Sequence, residues 1–258
     1  MDEFYIGYLP EAPSSTSKFI RNILVAVFIL VLSAGIILSL HQREFSKGVF
    51  EYGSKKEYTG VYTNVPVPSI KIVNQKDSSG KDINMTIPIV GYGKHGAESA
   101  IENYEIQHSV SLNGKKVTFK GDLIYNEKTF LSLVDDNPIT HVTETNESAD
   151  KMMMLGDTTL QGEIIDPKCY FGVMKPGLGK VHRQCAINCI SGGIPPVIRT
   201  QNRYGTFEYF LLLGKNGERI NQEVLFYVAD PIELKGKLYQ WGNWKVFQCD
   251  LNSINRIK

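Results

Sequence analysis

Residues 117–125, VTFKGDLIY, recur in outline at residues 232–240, IELKGKLYQ, with Gly121 standing over Gly236. A glycine inside a strand marks a sharp bend of the sheet or the close approach of another backbone. Two further matches keep the same order. Gly93-Lys94-His95-Gly96 corresponds to Gly214-Lys215-Asn216-Gly217, each after an apolar run, and TGVY (59–62) parallels QGEI (161–164). Such short matches recur by chance in many β-proteins, but three in one order favour a true repeat. A strand, a Gly-Lys-x-Gly hairpin turn, a strand kinked at glycine and a final strand are what a small closed barrel needs.

The expected fold is therefore mainly β, with two tandem five-stranded OB-like barrels at 57–142 and 158–258. The runs SIKIV, TIPIVGYG, KKVTFKGDLIY and TFLSLV in the first are rich in β-branched residues and bounded by turn formers. Residues 143–157, TETNESADKMMMLGD, lose periodicity and read as a linker. Its Met152-Met153-Met154 triplet offers soft thioethers to a metal such as copper, but packing on an apolar surface explains it more simply.

Upstream, Ile23 to Leu40, ILVAVFILVLSAGIILSL, contains no charged residue. At 1.5 Å per residue it is about long enough for a hydrocarbon core of ~30 Å, so a single transmembrane helix is expected at 23–40. Its apolar run and its leader are long for a cleaved signal peptide, although Ser33-Ala34-Gly35 is small-residue material. Residues 1–22 form a leader whose Phe4, Tyr5 and Tyr8 suit a membrane interface. Residues 41–56 form a charged connector. Lys18 and Arg21 precede the span; Arg43, Lys47, Lys55 and Lys56 follow it. A strict positive-inside count favours a cytoplasmic C-terminal part. A short leader with one anchor, and four cysteines confined to one domain, fit export instead. The exported orientation is the one expected: a bacterial inner membrane, with the barrels in the periplasm.

A hydrophobic content of 42% with 21% charged residues excludes wholesale disorder. The net charge of +1 gives no basic excess for a phosphate backbone, so nucleic acid is not expected as a partner. Lys55-Lys56 and Lys115-Lys116 read as solvated turns.

Chemistry concentrates in one insertion after the first strand of the second barrel. Asp166-Pro167 ends that strand, Gly172, Pro176, Gly177 and Gly179 make a loop, and a helix over 181–190 stops at Ser191-Gly192-Gly193 before Pro195-Pro196. His182, Cys185 and Cys189 recur at helical spacing and would share one face. Cys169 lies just upstream and Cys249 near the C-terminus. One reading is a tetrahedral site for zinc or another transition metal on Cys169, His182, Cys185 and Cys189. A second is disulfides among Cys169, Cys185, Cys189 and Cys249. Residues 185 and 189 lie one turn apart and bond each other poorly, so bridges from the helix to Cys169 and Cys249 are favoured. A third is a thiol activated by His182 and Arg183, for which no base and oxyanion pocket can be named.

Elsewhere, GVMKPGLGK lacks the G-x₄-G-K-[ST] of a phosphate loop. Asp135-Asp136 reads as a turn, and His95, His108 and His141 lack ligand spacing. Trp241 and Trp244 straddle a Gly242-Asn243 hairpin, either as barrel packing or as a stacking platform.

The stretch GEIIDPKCYFGVMKPGLGKVHRQCAINCISGGIPP resembles a group of bacterial exported or membrane-anchored proteins. These carry D-x-x-C-Y, a glycine loop, H-x-x-C-A-x-x-C and G-x-P-P, in that order, within a small β-barrel. The resemblance covers the second domain and implies an extracytoplasmic setting, without an activity or ligand. The architecture is also broadly similar to the haem chaperones of cytochrome c maturation, whose C-terminal H-x-x-x-Y motif is not recognisable here. The function expected is a non-catalytic accessory or assembly subunit of a membrane complex, such as a respiratory one, with the lipid bilayer and neighbouring subunits as partners. The alternative is a metal- or haem-handling chaperone or redox protein using the Cys/His cluster.

Overall fold

The computed structural model describes residues 13–41, 48–76, 82–133 and 137–257. Phe4, Tyr5, Tyr8, Arg43, Lys47 and Asp135-Asp136, to which the sequence assigns roles, lie outside them. The chain forms two compact units, Met1–Phe45 and Ser46–Lys258. In the first, α1 (Ser14–His41) is 28 residues long with mean hydropathy 3.0 over its most apolar window, and none of its side chains is buried. Length and composition suffice to cross a membrane, properties that a signal sequence shares. The helix runs beyond the apolar stretch because Ser14 to Arg21 contains nothing that breaks it.

The second unit contains all the described strands. In chain order these are β1 (Val49–Phe50), β2 (Lys56–Thr63), β3 (Ser69–Lys76), β4 (Asp82–Val90), then α2 (Glu98–His108), β5 (Lys116–Tyr125), β6 (Thr129–Leu133) and β7 (Ile139–Thr143). β8 (Met153–Ile165), α3 (Arg183–Ser191), β9 (Val197–Gln201), β10 (Phe207–Gly214), β11 (Pro231–Trp241), β12 (Trp244–Cys249) and β13 (Asn255–Arg256) follow. Strands β2-β3-β4-β6-β5 close on themselves through the β5–β2 pairing, and β8-β9-β10-β12-β11 close through β11–β8. In both rings only the third and fifth strands run parallel, β4 with β6 and β10 with β12. These are two closed five-stranded barrels of one topology, consistent with tandem OB-like domains. β1 and β7 add to β5, and β13 adds to β11.

All three sequence matches fall on equivalent places: the first barrel strand, the end of the third, and the fourth. Gly121 is the pivot of β5, where pairing passes from Lys56 on β2 to Leu133 on β6. A Cβ there would sit 2.6 Å from the Ser132 carbonyl oxygen, and one at Gly236 would overlap that of Gln248. Both neighbours press so closely that only glycine fits. The Gly-Lys-x-Gly segments are not the expected hairpins. Each leads away from its strand into a crossover, because the next strand pairs elsewhere in the ring. In the first barrel that crossover carries α2, a helix the sequence reading missed; its one buried residue is Ile101, so its apolar period is weak.

Each barrel has its own core, built around Tyr62, Ile70 and Phe119 in the first and Ile198, Leu234 and Phe247 in the second. A third core joins them: Ile124 and Phe130 of the first barrel pack with Phe171, Trp241 and Trp244 of the second. Trp241 and Trp244 are fully buried, with Phe130 meeting Trp244 edge-on at 5.1 Å, so they pack rather than form a platform. Burying each such ring is worth roughly 1.5–3 kcal/mol. Asn243, at the tip of the β11–β12 hairpin, accepts from the Thr86 amide through Oδ1 (2.8 Å) and from Lys128 Nζ through its carbonyl (2.7 Å). Met153 and Met154 open β8 with exposed side chains, while Met152 packs against the shared core.

Gly236→Ala is expected to lower unfolding stability by about 2 kcal/mol or more, since backbone must shift to admit the methyl. Denaturant unfolding of the detergent-solubilised chain measures this; a loss below about 0.5 kcal/mol would contradict the close approach.

Candidate metal centre

The insertion between β8 and β9 is locally well determined. Asp166 Oδ1 accepts from the amides of Lys168 (2.9 Å) and Cys169 (3.4 Å), starting a turn that becomes a short π-helix, Cys169–Val173. The glycine loop then folds back so tightly that a Cβ on Gly177 would stand 2.6 Å from the Tyr170 Cα. Gly179, at φ +73°, hands the chain to His182, which precedes α3, two residues later than the start expected from sequence. The helix ends where Gly193 takes φ +107° and the Ile194 amide bonds the Cys189 carbonyl at 3.1 Å.

This arrangement brings the sulfurs of Cys169, Cys185 and Cys189 within 4.8 Å of one another. Asp166, Cys169 and His182 form a second group within the same limit. His182 thus joins Asp166 and Cys169 rather than completing one four-ligand set with Cys185 and Cys189. The four cysteines are all free thiols, so the expected disulfides are not formed. Cys249 is placed apart: it points into the second barrel's core, whereas Cys169 and Cys189 belong to the core between the barrels. The helix makes this division, turning Ala186 and Ile190 toward one core and Cys189 toward the other. Arg183 faces away from the sulfurs, pairing with Asp230 at 2.9 Å and with the Phe226 carbonyl.

Two residues absent from the sequence reading of the site help build it. Asp166 enters the sequence reading as a strand end and as the first residue of the D-x-x-C-Y motif, but not as a ligand. Lys168 is 4% exposed, and its ammonium donates to the carbonyls of Gly91 (2.6 Å) and Gly93 (2.8 Å) in the first barrel. The Gly96 amide reaches the Gly192 carbonyl at 2.9 Å, so the first barrel's 91–96 segment packs against the insertion. His182 Nε2 and Asp166 Oδ2 are buried without a hydrogen-bond partner, a costly state for polar atoms.

The environment favours neutral forms. The Cys169 thiol is held far above the usual thiol range by its hydrogen bond with Cys189 and then by burial; burial also raises Cys185. Burial lowers His182 and Lys168, and Asp166 partly offsets both. Cys169 and Cys185 are therefore poor nucleophiles as they stand. A metal ion overcomes this by displacing thiol protons, and sulfurs about 3.8 Å apart span a tetrahedral zinc with ~2.3 Å bonds. The donor set fits a thiophilic ion.

Burial raises Cys249 from 9.0 to about 12. The unfolded chain ionises this thiol first, so its contribution to stability is complete below pH 9 and is lost as pH rises toward 12. Cys249→Ala should flatten the alkaline decline of unfolding stability by up to about 1.4 kcal/mol per pH unit in that window. An unchanged slope between wild type and variant would refute it.

No family model, curated protein or solved structure matches the chain, and the chemistry of the centre rests on its own donors.

Proposed function

We propose that this chain is a metal-holding accessory subunit of a bacterial inner-membrane complex, anchored by α1 and carrying its two barrels in the periplasm. The observation that carries the reading is the convergence of three free thiols from two separate segments, the π-turn and α3, within 4.8 Å. Thiolates gathered so closely bind borderline or soft ions, zinc foremost, far better than hard ones. The raised thiol pKa values weigh against a nucleophilic or redox-poised cysteine. Two of the three sulfurs are buried and Cys185 is half-buried, which suits an ion retained in the fold and reached from one side. The long apolar α1 supports the anchor.

Chain purified in detergent without chelator should carry at least one zinc or similar ion, and Cys185→Ser should weaken its retention against a chromophoric chelator by at least about 100-fold. Alkylation in intact cells should leave Cys169, Cys185 and Cys189 unmodified until the ion is stripped. Blocked thiols without metal would replace this reading with a disulfide between Cys169 and Cys189, whose side chains already touch.

Topology has a separate test. A C-terminal alkaline phosphatase fusion should be active and a cytoplasm-dependent reporter at the same position silent; the reverse pattern would place the barrels in the cytoplasm.

A further inference from the structure

The donors around Cys169 are too many and too divided for one ion. Cys185 and Cys189 approach Cys169 as one group, Asp166 and His182 approach it as another, and only the Cys169 sulfur belongs to both. Resting on the proposed metal site, we infer a second ion: the centre is binuclear, with the Cys169 thiolate bridging an ion on Cys185 and Cys189 to an ion on Asp166 and His182.

Three observations support this. First, Asp166 Oδ2 and His182 Nε2 are buried and unpartnered, on residues 0% and 4% exposed. Each is a strong ligand atom, and leaving either so in the interior is costly unless something binds it. Asp166 Oδ1 is already committed to the amides of Lys168 and Cys169, which aims the carboxylate and leaves its other oxygen for the ion.

Second, charge permits two ions. With metal bound, the centre holds three thiolates and one carboxylate, and the nearest buried cation is the Lys168 ammonium, which spends its hydrogen bonds on Gly91 and Gly93. With the Lys168 ammonium counted, one divalent ion leaves a net charge of −1 and two leave +1, so either loading keeps the buried centre within one unit of neutrality. Third, a sulfur has lone pairs enough to bridge, and two ions sharing it would lie about 3.5–4 Å apart, the usual separation in two-metal sites. The chemistry calls for borderline divalent ions, zinc above all: thiolate serves both positions, and imidazole and carboxylate complete the second.

The test loads the full-length detergent-solubilised chain with excess zinc, removes loose metal, and measures zinc per chain by mass spectrometry. Wild type should hold about two ions; His182→Ala and Asp166→Asn should each hold about one, with Cys185 and Cys189 still protected from alkylation. Cys169→Ser should fall below one. X-ray absorption on the wild type, which needs no variant to fold, should show zinc–zinc scattering at about 3.5–4 Å. A wild-type ratio of about one, unchanged by His182→Ala and without a zinc–zinc vector, would overturn the second ion while leaving the three-thiol site standing. A ratio of about one that falls to zero in His182→Ala would also overturn it, by placing the single ion on the histidine. A ratio of zero would instead defeat the metal reading itself.

Discussion

A positive charge buried at the seam between the two barrels constrains everything around it. The Lys168 ammonium, inside the second barrel's insertion, is held by two backbone carbonyls of the first barrel. Removing an ammonium from water costs several kcal/mol unless its protons find acceptors. Gly91 and Gly93 supply them only while the two barrels are docked. The residue next to Lys168 is Cys169, the sulfur shared by both donor groups. Docking and metal-site geometry are thereby coupled: no described residue of the first barrel is among the grouped donors, yet that barrel helps set the turn from which the central ligand projects. Aromatic packing of Phe130, Phe171 and Trp244 and the Asn243 hairpin contacts keep that seam closed.

Within the insertion, short-range chemistry does the positioning. An aspartate side chain starts a turn, a π-helical turn offsets Cys169 from the following loop, and glycines let that loop return onto it. The helix then splits its residues between two cores, so that neighbouring positions serve different purposes: Ala186 and Ile190 pack the second barrel, while Cys185 and Cys189 meet Cys169. Without a metal the buried Cys169 and Cys189 pack as small apolar groups. Ligation would exchange thiol protons for an ion and add its binding energy to that of the fold.

Much of the architecture was legible in the chain because closed barrels impose local signatures. Gly121 and Gly236 are needed where a strand turns from one neighbour to another, and no other side chain fits, so the repeat survived in the sequence. The apolar run of α1 was equally plain, since eighteen consecutive uncharged residues have few soluble uses. By contrast α2 carries mostly charged and polar residues around Ile101, and a helix that buries so little leaves almost no periodic trace. The tryptophans could be placed in a hairpin but not inside or outside, because that depends on the first barrel, over a hundred residues away in sequence.

Local pattern alone determined the strand-forming segments, their bending glycines, the apolar helix and the gathering of Cys169, His182, Cys185 and Cys189 in one insertion. Those features follow from neighbours a few residues apart. Tertiary structure decided the rest: that Cys249 stands in a separate core, that His182 lies near Asp166 and Cys169 rather than grouping with the other helix cysteines, and that Lys168 is buried. Each of these depends on which face of α3 and of the turn meets which barrel. Side-chain spacing along a helix specifies a face, but only the packed partner specifies what that face touches.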